Sequence, residues 1–471
     1  MTATLEGAPP IARPVARATT RRPGPWWRDA AGAAAIATVI VVLALWTGHG
    51  GVQALGAADH GLTALGRLTG LLSADLMLLQ VLLMARVPWI ERAYGQDRLA
   101  RKHRLFGFWS FWLLTAHIAL ITLGYAATTR TGVLAQAWRL VTTYPGMLLA
   151  TAAAGLIVAV VVTSVRAARR RLRYESWHLI HLYAYLGIAL ALPHQLWTGE
   201  DFVATGWARV YWWTLYLSAL AAVVVFRAGL PLWRTLRHRL VVARVTTEAP
   251  GVVSVYLRGR RLHRLPVRPG QFLQWRFLDG PGWSRAHPYS LSAGPRPGEL
   301  RITVKDAGDG SGRVARLRPG TRVLVEGPYG APTAGPPSRR PVVMFAAGIG
   351  ITPLRALLDD PDIAGRPVVL LYRVRDPREA VFAGELEAIA AARPLRVVYL
   401  AGPRPNRPSF LPAYLVGRGD DDAVVLRRLV PDVAFAEAYL CGPGEWMAAA
   451  RRALRAAGVP AQRIRAEEFA W

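Results

Sequence analysis

Apolar runs long enough to cross a bilayer recur six times in the first half of the chain and then cease. A hydrocarbon core of about 30 Å is crossed by roughly 20 helical residues. On that measure, spans are expected over Ala30–Gly48, Leu68–Trp89, Leu105–Ala127, Pro145–Val165, Trp177–Trp197 and Trp207–Leu230. From Leu240 the periodicity shortens. VVARVTTEAPGVVSVYLRG, RPGQFLQWRFL, HPYSLSAGP, LRITVKDAG and GTRVLVEGPYG alternate apolar and polar positions between turn residues, which predicts a small antiparallel β-barrel. After Pro341 the pattern changes again: PVVMFAAGIGITPLRALL reads as buried strand, glycine turn and helix, with strands PVVLLYRV and AEAYLCGPG to follow. That is the rhythm of a parallel α/β domain. The expected fold class is a multi-domain membrane protein: a six-helix all-α transmembrane bundle, an antiparallel β-barrel, and an α/β parallel-sheet domain.

Charge orients the spans. Arg21, Arg22 and Arg28 precede the first; Arg92, Arg98, Arg101, Lys102 and Arg104 separate the second from the third. Arg166, Arg169, Arg170, Arg171 and Arg173 separate the fourth from the fifth, and Arg234, Arg237 and Arg239 follow the sixth. The positive-inside rule puts these segments in the cytoplasm, with both chain ends, in a multi-pass protein of the plasma membrane. Residues 1–29 are rich in proline and arginine and read as a disordered cytoplasmic lead-in. The formal net charge of +28 would ordinarily raise nucleic acid as a partner. Lys102 and Lys305 are the only lysines, however, and the arginines are scattered over membrane flanks and domain surfaces, so no nucleic-acid partner is expected. Cys441 is the only cysteine, which excludes a disulfide framework, a zinc cluster and a four-cysteine iron–sulfur module. Redox centres are left to haem, flavin and nicotinamide. No EF-hand loop occurs, so calcium control within the chain is not expected.

Two spans carry histidines: His103 and His117 in the third, and His178, His181 and His194 in the fifth. Ionisable groups at membrane depth are costly unless they face a partner, so each is a functional candidate. Spans three and five run in the same direction, which puts His103 and His181 toward the cytoplasm and His117 and His194 toward the outer face. Separations of 14 and 13 residues correspond to about 21 and 20 Å of helix rise. One membrane histidine bonded to a neighbouring helix is ordinary. Two pairs at matched depth instead suit two stacked bis-histidine haems, one per leaflet, with the porphyrins between helices. The first separation returns within about 40° of the same face, whereas the second lands about 140° away. A break at Pro193 is therefore expected to re-aim His194. His178, one turn from His181, is the rival ligand or a propionate neighbour; His49 and His60, in the first outer loop, read as solvated or acceptor-side.

These spans resemble the transmembrane ferric reductase and NADPH oxidase superfamily, whose third and fifth spans each carry two haem-ligating histidines at these separations. The resemblance covers spans two to six. It implies that His103 with His181 binds an inner haem b, and His117 with His194 an outer one. In that family electrons run from NADPH to FAD, then to the inner haem, the outer haem and an external acceptor.

The turn Gly348, Ile349, Gly350, Ile351, Thr352, Pro353 has a physical use: glycines let the backbone approach a pyrophosphate, and the helix after them aims its amides at phosphate. With the barrel pattern and Cys441, Gly442, Pro443, it resembles the ferredoxin-NADP reductase family over Val241–Trp471. The resemblance implies that Tyr289 stacks on the isoalloxazine ring of FAD, with Ser290 near flavin N5. The His287–Pro288 pair before them matches the oxidase and ferric reductase branch. Arg285 is implied as an FAD phosphate partner, and Gly310, Ser311 and Gly312 as pyrophosphate contacts. Gly348, Gly350, Thr352 and Pro353 would cradle NADPH. Cys441, Gly442 and Pro443 would bring the nicotinamide against the flavin, and Glu468 with Phe469 would form the acidic-aromatic ending over it, Trp471 being the alternative cover. Arg373 and Arg375, after the second strand of this domain, stand where a 2′-phosphate would bind, favouring NADPH over NADH.

The implied organisation is a haem-binding transmembrane domain over 30–236, an FAD-binding barrel over 237–335 and an NAD(P)-binding domain over 336–471. The implied activity is that of a flavohaem transmembrane reductase delivering electrons to an external one-electron acceptor. The short outer loops, which offer no lid to shape an oxygen pocket, favour a ferric chelate. Reduction of dioxygen to superoxide is the alternative within the enzyme class. A haem-bearing anchor whose reductase half serves a soluble or partner-protein acceptor is the alternative outside it.

Overall fold

The structure, a computed structural model, describes residues 26–57, 60–172, 174–199, 202, 206–308, 310–330, 338–416 and 421–468. The chain divides into two compact units that part between Ala228 and Gly229.

In the first unit, six helices are long and apolar enough to cross a membrane. They are α1 (Trp26–Gly48), α2 (Gly61–Met84), α3 (Gln96–Thr129), α4 (Met147–Ser164), α5 (Tyr174–Thr198) and α6 (Trp207–Ala222). Helix α2 starts at Gly61 and stops at Met84, short of the expected Trp89, because the chain turns at Arg86 (φ 64°) and Pro88 opens a separate short helix. Proline is at ease in a first turn and disruptive within a helix. Leu148, Trp112 and Leu217 point outward and exposed, as expected where the solvent is lipid. Val42, Trp46, Leu71, Leu78, Trp212 and Leu215 form the core shared by α1, α2 and α6. Helix α2 lies close against α3, and α4 against α5. Glycines make the first approach possible: a Cβ on Gly70 would come within 2.5 Å of His117 Nδ1, and one on Gly66 within 2.9 Å of the Ile121 side chain. Gly66 and Gly70 form a small-xxx-small pair, the motif that lets membrane helices touch backbone to backbone.

The expected break in α5 does not occur. The helix runs through Pro193 to Thr198. Proline there removes one donor near the helix end, and the following turn is still held by the Gly199 amide bonding to Gln195 O at 3.0 Å.

The second unit begins with α7 (Leu230–His238), which follows a π-helical segment, Val223–Gly229. Two three-stranded antiparallel sheets come next. One has the order β1 (Val241–Ala249), β2 (Val252–Arg258), β5 (Glu299–Lys305); the other has β4 (His287–Ser290), β3 (Phe272–Phe277), β6 (Val323–Tyr329). Isolated bridges Val241↔Arg322 and Leu291↔Ile302 stitch the sheets together. No closed sheet forms among the described residues, so the antiparallel strands are present without the expected barrel closure. Strand β4 holds only four residues and reaches the other sheet through a single bridge, too little to close a continuous ladder. Between the sheets lie Leu273, Trp275, Leu291 and Ile302, all fully buried. Helix α7 is tied to β6: Thr235 Oγ1 accepts from the Val325 amide at 3.3 Å, and Arg234 donates to Gly327 O.

A five-stranded parallel sheet follows, in the order β11 (Ile464–Glu468), β10 (Glu437–Gly442), β7 (Val342–Ala347), β8 (Val368–Val374), β9 (Leu395–Ala401). Helices α8 (Ile351–Leu357), α9 (Ala383–Ala392) and α10 (Gly444–Ala456) belong to it. Strand β10 is buried throughout, as parallel strands covered on both faces are. An ion-pair cluster joins the sheets of this unit. Arg301 of β5 meets Glu385 of α9 at 3.0 Å, and Arg355 of α8 binds Glu385 and also Asp359, the latter at 2.8 Å.

Candidate functional site

In the membrane unit the structure brings one pair of histidines ring to ring and sets a second pair further along the same helices. The rings of His103 and His181 lie 5.9 Å apart at 62°, and His194 is within electrostatic reach of His117. Each of the four rings is anchored through Nδ1. His103 bonds Gln80 O at 3.3 Å and His117 bonds Gly66 O at 2.7 Å, both carbonyls of α2. His181 bonds Ser164 Oγ of α4 at 3.3 Å, and His194 bonds Thr198 Oγ1 at 2.8 Å. Nδ1 engaged in this way fixes the ring and leaves Nε2 available to a ligand, an arrangement also used by metal-binding histidines. Two metal–nitrogen bonds of about 2.0 Å, plus the span from nitrogen to ring centre, put paired ligand rings roughly 6 Å apart. His103 and His181 already stand at that separation. Helices α3 and α5 are the least buried of the six and pack mainly on α2 and α4 rather than on each other. Among the described residues no group of three or more His, Cys, Asp or Glu could hold a metal alone. Paired imidazoles with free Nε2 atoms fit axial ligation of a macrocyclic iron. His178 sits beside Trp177, ring centres 6.4 Å apart, and it is His181 whose ring pairs with His103.

In the second unit, β4 sets out His287, Pro288, Tyr289 and Ser290. Tyr289 is buried and held by its backbone, which accepts from Trp275 Nε1 at 2.9 Å. Its ring lies parallel to that of His287, 5.8 Å away at 8°, the two sharing one strand face. Burial pushes the Tyr289 phenol above its ordinary value. Ser290 Oγ is buried with no hydrogen-bond partner among the described residues. An orphaned buried hydroxyl carries a desolvation cost unless a ligand meets it. The Gly310–Gly312 loop closes on this strand, with a Cβ on Gly310 falling 2.6 Å from His287 Cε1. Ser311 Oγ turns inward, accepting from the Ala307 amide at 2.7 Å, and so shapes its own loop. Arg285, His287 and Gly310 line one cavity with Arg313, whose guanidinium grips Asp279 at 2.7 and 2.8 Å.

Strand order in the parallel sheet reverses between β7 and β10, and ligands of open α/β sheets bind beyond the carboxyl ends of strands at such a switch point. Two motifs end there. A Cβ on Gly350 would come within 2.2 Å of Cys441 O, and one on Gly442 within 2.9 Å of Ala347 and of Trp446. Glycine at both positions lets the two turns meet. Gly348 adopts φ +53°, and Thr352 Oγ1 donates to Ile349 O at 3.0 Å, with Pro353 in the first turn of α8. Pro443 caps α10. Cys441 is fully buried; burial, then the nearby Glu467 carboxylate, push its thiol well up. Parallel pairing sets Cys441 opposite Glu467 and Gly442 opposite Glu468. Glu467 also reaches the turn after β6, its Oε1 being 3.6 Å from where a Gly330 Cβ would stand. The Glu468 side chain, Phe469 and Trp471 lie outside the described residues.

The expected phosphate pair Arg373 and Arg375 is separated. Arg373 is buried, and its guanidinium donates to Val374 O, Leu400 O (3.0 Å), Gly402 O (2.7 Å) and Pro403 O (2.9 Å). Those carbonyls occupy the donors a phosphate would need. Arg375, beyond the end of β8, is exposed.

The family described as ferric reductase like transmembrane component matches residues 69–192, which hold all four paired histidines except His194. The flavohemoprotein of Bordetella pertussis is 31% identical over 313 residues, covering 61% of this chain and 75% of that protein. The chain carries a ferric reductase like transmembrane component and, C-terminal to it, an FAD/NAD-binding domain of the kind found in flavohemoproteins. The ferredoxin reductase component of 3-ketosteroid-9-alpha-monooxygenase from Mycolicibacterium smegmatis is 34% identical over 236 residues, 48% of this chain and 63% of that protein. Among solved structures, the FAD/NAD-binding domain of nitric oxide dioxygenase from Vibrio cholerae is 25% identical, covering 50% of this chain and 99% of that one at a TM-score of 0.38. A membrane domain of the ferric reductase kind fused to an FAD/NAD-binding reductase makes this protein a transmembrane electron-transfer oxidoreductase.

Sequence reasoning passed over the contribution of α2. GRLTG at 66–70 spells the glycine pair, but the bonds to the histidines run through backbone oxygens of Gly66 and Gln80, which no side chain announces. Glu467 was also missed. A strand alternates faces at every residue, so of the two adjacent glutamates the one paired with Cys441 is the one that reaches it.

Proposed function

We propose that this protein carries electrons from cytoplasmic NADPH, by way of FAD and two b haems, to an external one-electron acceptor, a ferric chelate. The reading rests on one observation above all: four membrane histidines held through Nδ1, with Nε2 left to ligate. His103 and His181 would hold the inner haem, His117 and His194 the outer. The domains would be 30–236, 237–335 and 336–471, and the arginine-flanked loops would face the cytoplasm. Bound FAD would convert the hydride pair of NADPH into single electrons, and haem iron would accept them singly.

The remaining work falls to this chain's residues. Tyr289 would flank the flavin ring, and the unpartnered Ser290 hydroxyl would bond to it. Arg285 and the Gly310–Gly312 loop would meet the FAD phosphates. Gly348, Gly350, Thr352 and Pro353 would approach the dinucleotide at the switch point. Arg375 would face the 2′-phosphate, while Arg373 braces the loop behind it. Cys441, neutral and buried, would wall the nicotinamide side, with Glu468 and Phe469 closing over the flavin.

The test uses full-length protein in lipid nanodiscs. A low-spin bis-histidine spectrum with two haems per chain by pyridine haemochrome is expected. His117→Ala and His194→Ala should each abolish NADPH-driven reduction of an impermeant ferric chelate, while NADPH-to-flavin transfer persists. A haem-free protein, or chelate reduction that survives both substitutions, would refute the relay. Superoxide production in preference to chelate reduction would change the acceptor.

A further inference from the structure

One buried charge-bearing side chain in the membrane unit plays no part in that scheme. Asp75 on α2 is fully buried. It has no ion-pair partner among the described residues, and its carboxylate meets only hydroxyls: Tyr211 OH of α6 donates to Oδ1 at 2.7 Å and Thr38 Oγ1 of α1 to Oδ2 at 3.1 Å. An unpaired carboxylate at membrane depth is expensive and marks a functional position.

Both hydroxyls have a second acceptor in reach. Tyr211 OH lies 3.2 Å from Thr38 O, and Thr38 Oγ1 lies 2.9 Å from Ala35 O. The cluster therefore has two complete hydrogen-bonding patterns. With Asp75 ionised, both hydroxyls point at it. With Asp75 protonated, they turn to the two carbonyls, and the carboxylic acid donates to a hydroxyl oxygen. A site satisfied in either state can gain and lose a proton without leaving a buried polar group unpaired.

A groove adjoins the cluster. A groove of about 420 Å³ between α1 and α6 is lined by Thr38, Tyr211, Thr214 and Ser218 among apolar residues such as Val41 and Leu45. Tyr211, Thr214 and Ser218 recur at helical spacing on one face of α6, giving a stripe of hydroxyls that leads to the two residues in contact with Asp75.

We propose that Asp75 is a proton-exchanging carboxyl group, served by this groove, that takes up one proton when an electron enters the bundle. The balance is simple: one electron arrives from the chain of centres proposed above, one proton from water forms an O–H bond on Asp75, and both leave on oxidation. The electron source rests on that proposed function; the proton site does not. Helix α2 makes the coupling short, since on its other side the carbonyls of Gly66 and Gln80 hold His117 and His103. Other ionisable groups on the helices around Asp75 are placed elsewhere. Arg28 and Asp29 open α1, about two and a half turns before Thr38. On α6, Arg209 lies at the outer end and the Tyr216 hydroxyl is bonded to Gln195. From α3, His103 and His117 are occupied with α2 carbonyls, and the short helix Gly51–Leu55 has no ionisable residue.

The experiment combines redox-difference infrared spectroscopy with haem potentiometry on the full-length protein in nanodiscs. On reduction, a carboxylic-acid band should rise in the wild type, vanish in Asp75→Asn and shift in Tyr211→Phe. The midpoint potential of at least one haem should fall with rising pH, by up to about 59 mV for each tenfold change in proton concentration at one proton per electron. Asp75→Asn should flatten that slope with its haem spectrum unchanged. A wild-type slope that persists in Asp75→Asn, or a reduction spectrum without the band, overturns the proposal. If the protein proves haem-free, the relay fails, and the infrared spectrum over a pH titration decides the site: an acid band that follows pH and is absent from Asp75→Asn upholds it, and none refutes it.

Discussion

Single residues divide here into those whose type announced a role and those whose surroundings decide it. Cys441 belongs to the second kind. Burial and the adjacent Glu467 raise its thiol pKa, and the thiolate is the reactive form. Native protein at neutral pH should therefore resist iodoacetamide, with Cys441 modified only after denaturation, as peptide mass spectrometry would show. Glu385 is displaced the other way. Burial pushes its carboxyl up, but the Arg355 and Arg301 guanidiniums outweigh this and hold it below the ordinary value. A depressed carboxylate stabilises the fold above its unfolded pKa of about 4.3, and that stability is lost as pH falls through the lower folded value. Glu385→Gln leaves two buried arginines short of a counter-charge, a loss of about 3 kcal/mol. Melting curves should show the variant less stable at neutral pH, and the gap closing below about pH 4. Arg373 shows why such roles are hard to read in advance. Its donors are taken by the carbonyls of a loop some thirty residues later, and nothing in the local sequence signals that return.

At the scale of elements, the histidine pairs were legible because a titratable side chain in an apolar run is conspicuous. What orients them was not, since Gly66 and Gln80 act through backbone oxygens, which every residue possesses. The glycine pair on α2 makes a direct test. Gly70→Ala would drive a methyl group into the His117 ring, and overpacking of this kind costs about 1–3 kcal/mol. Under the proposed ligation, the haem assigned to His117 should be lost or shifted in potential while the one assigned to His103, further along the same helices, keeps its spectrum; redox titration with haem quantitation would separate the two. The reductase strands were legible for the same reason as the spans, through their period. Closure of the antiparallel sheets was not, because it depends on the shortness of β4 and on a single bridge at Leu291.

For the whole molecule, the division of labour follows from solvent. Lipid favours a bundle whose backbone polar groups are bonded within its helices, and the glycine turns proposed to meet flavin and dinucleotide all belong to the second unit. The order of segments was plain in the sequence, because composition shifts at each boundary. Asp75 was visible as a letter in the second apolar run, yet its partners Thr38 and Tyr211 stand 37 and 136 positions away, and only the packed bundle brings them together.

The bonds that aim the four imidazoles are of two mechanical kinds. Those on α3 end on backbone carbonyls of α2, 14 residues apart on each helix, so the two helices gauge each other like the scales of a vernier. Those on α5 end on the hydroxyls of Ser164 and Thr198, the first on the neighbouring α4 and the second one turn further along α5 itself. The two rings of α3 are thus gauged against one neighbouring helix, whereas on α5 the His194 ring is held from within its own helix. Under the proposed haem ligation, inserting one alanine between His103 and His117 should break this gauge and cost a haem, a loss that haem stoichiometry would reveal.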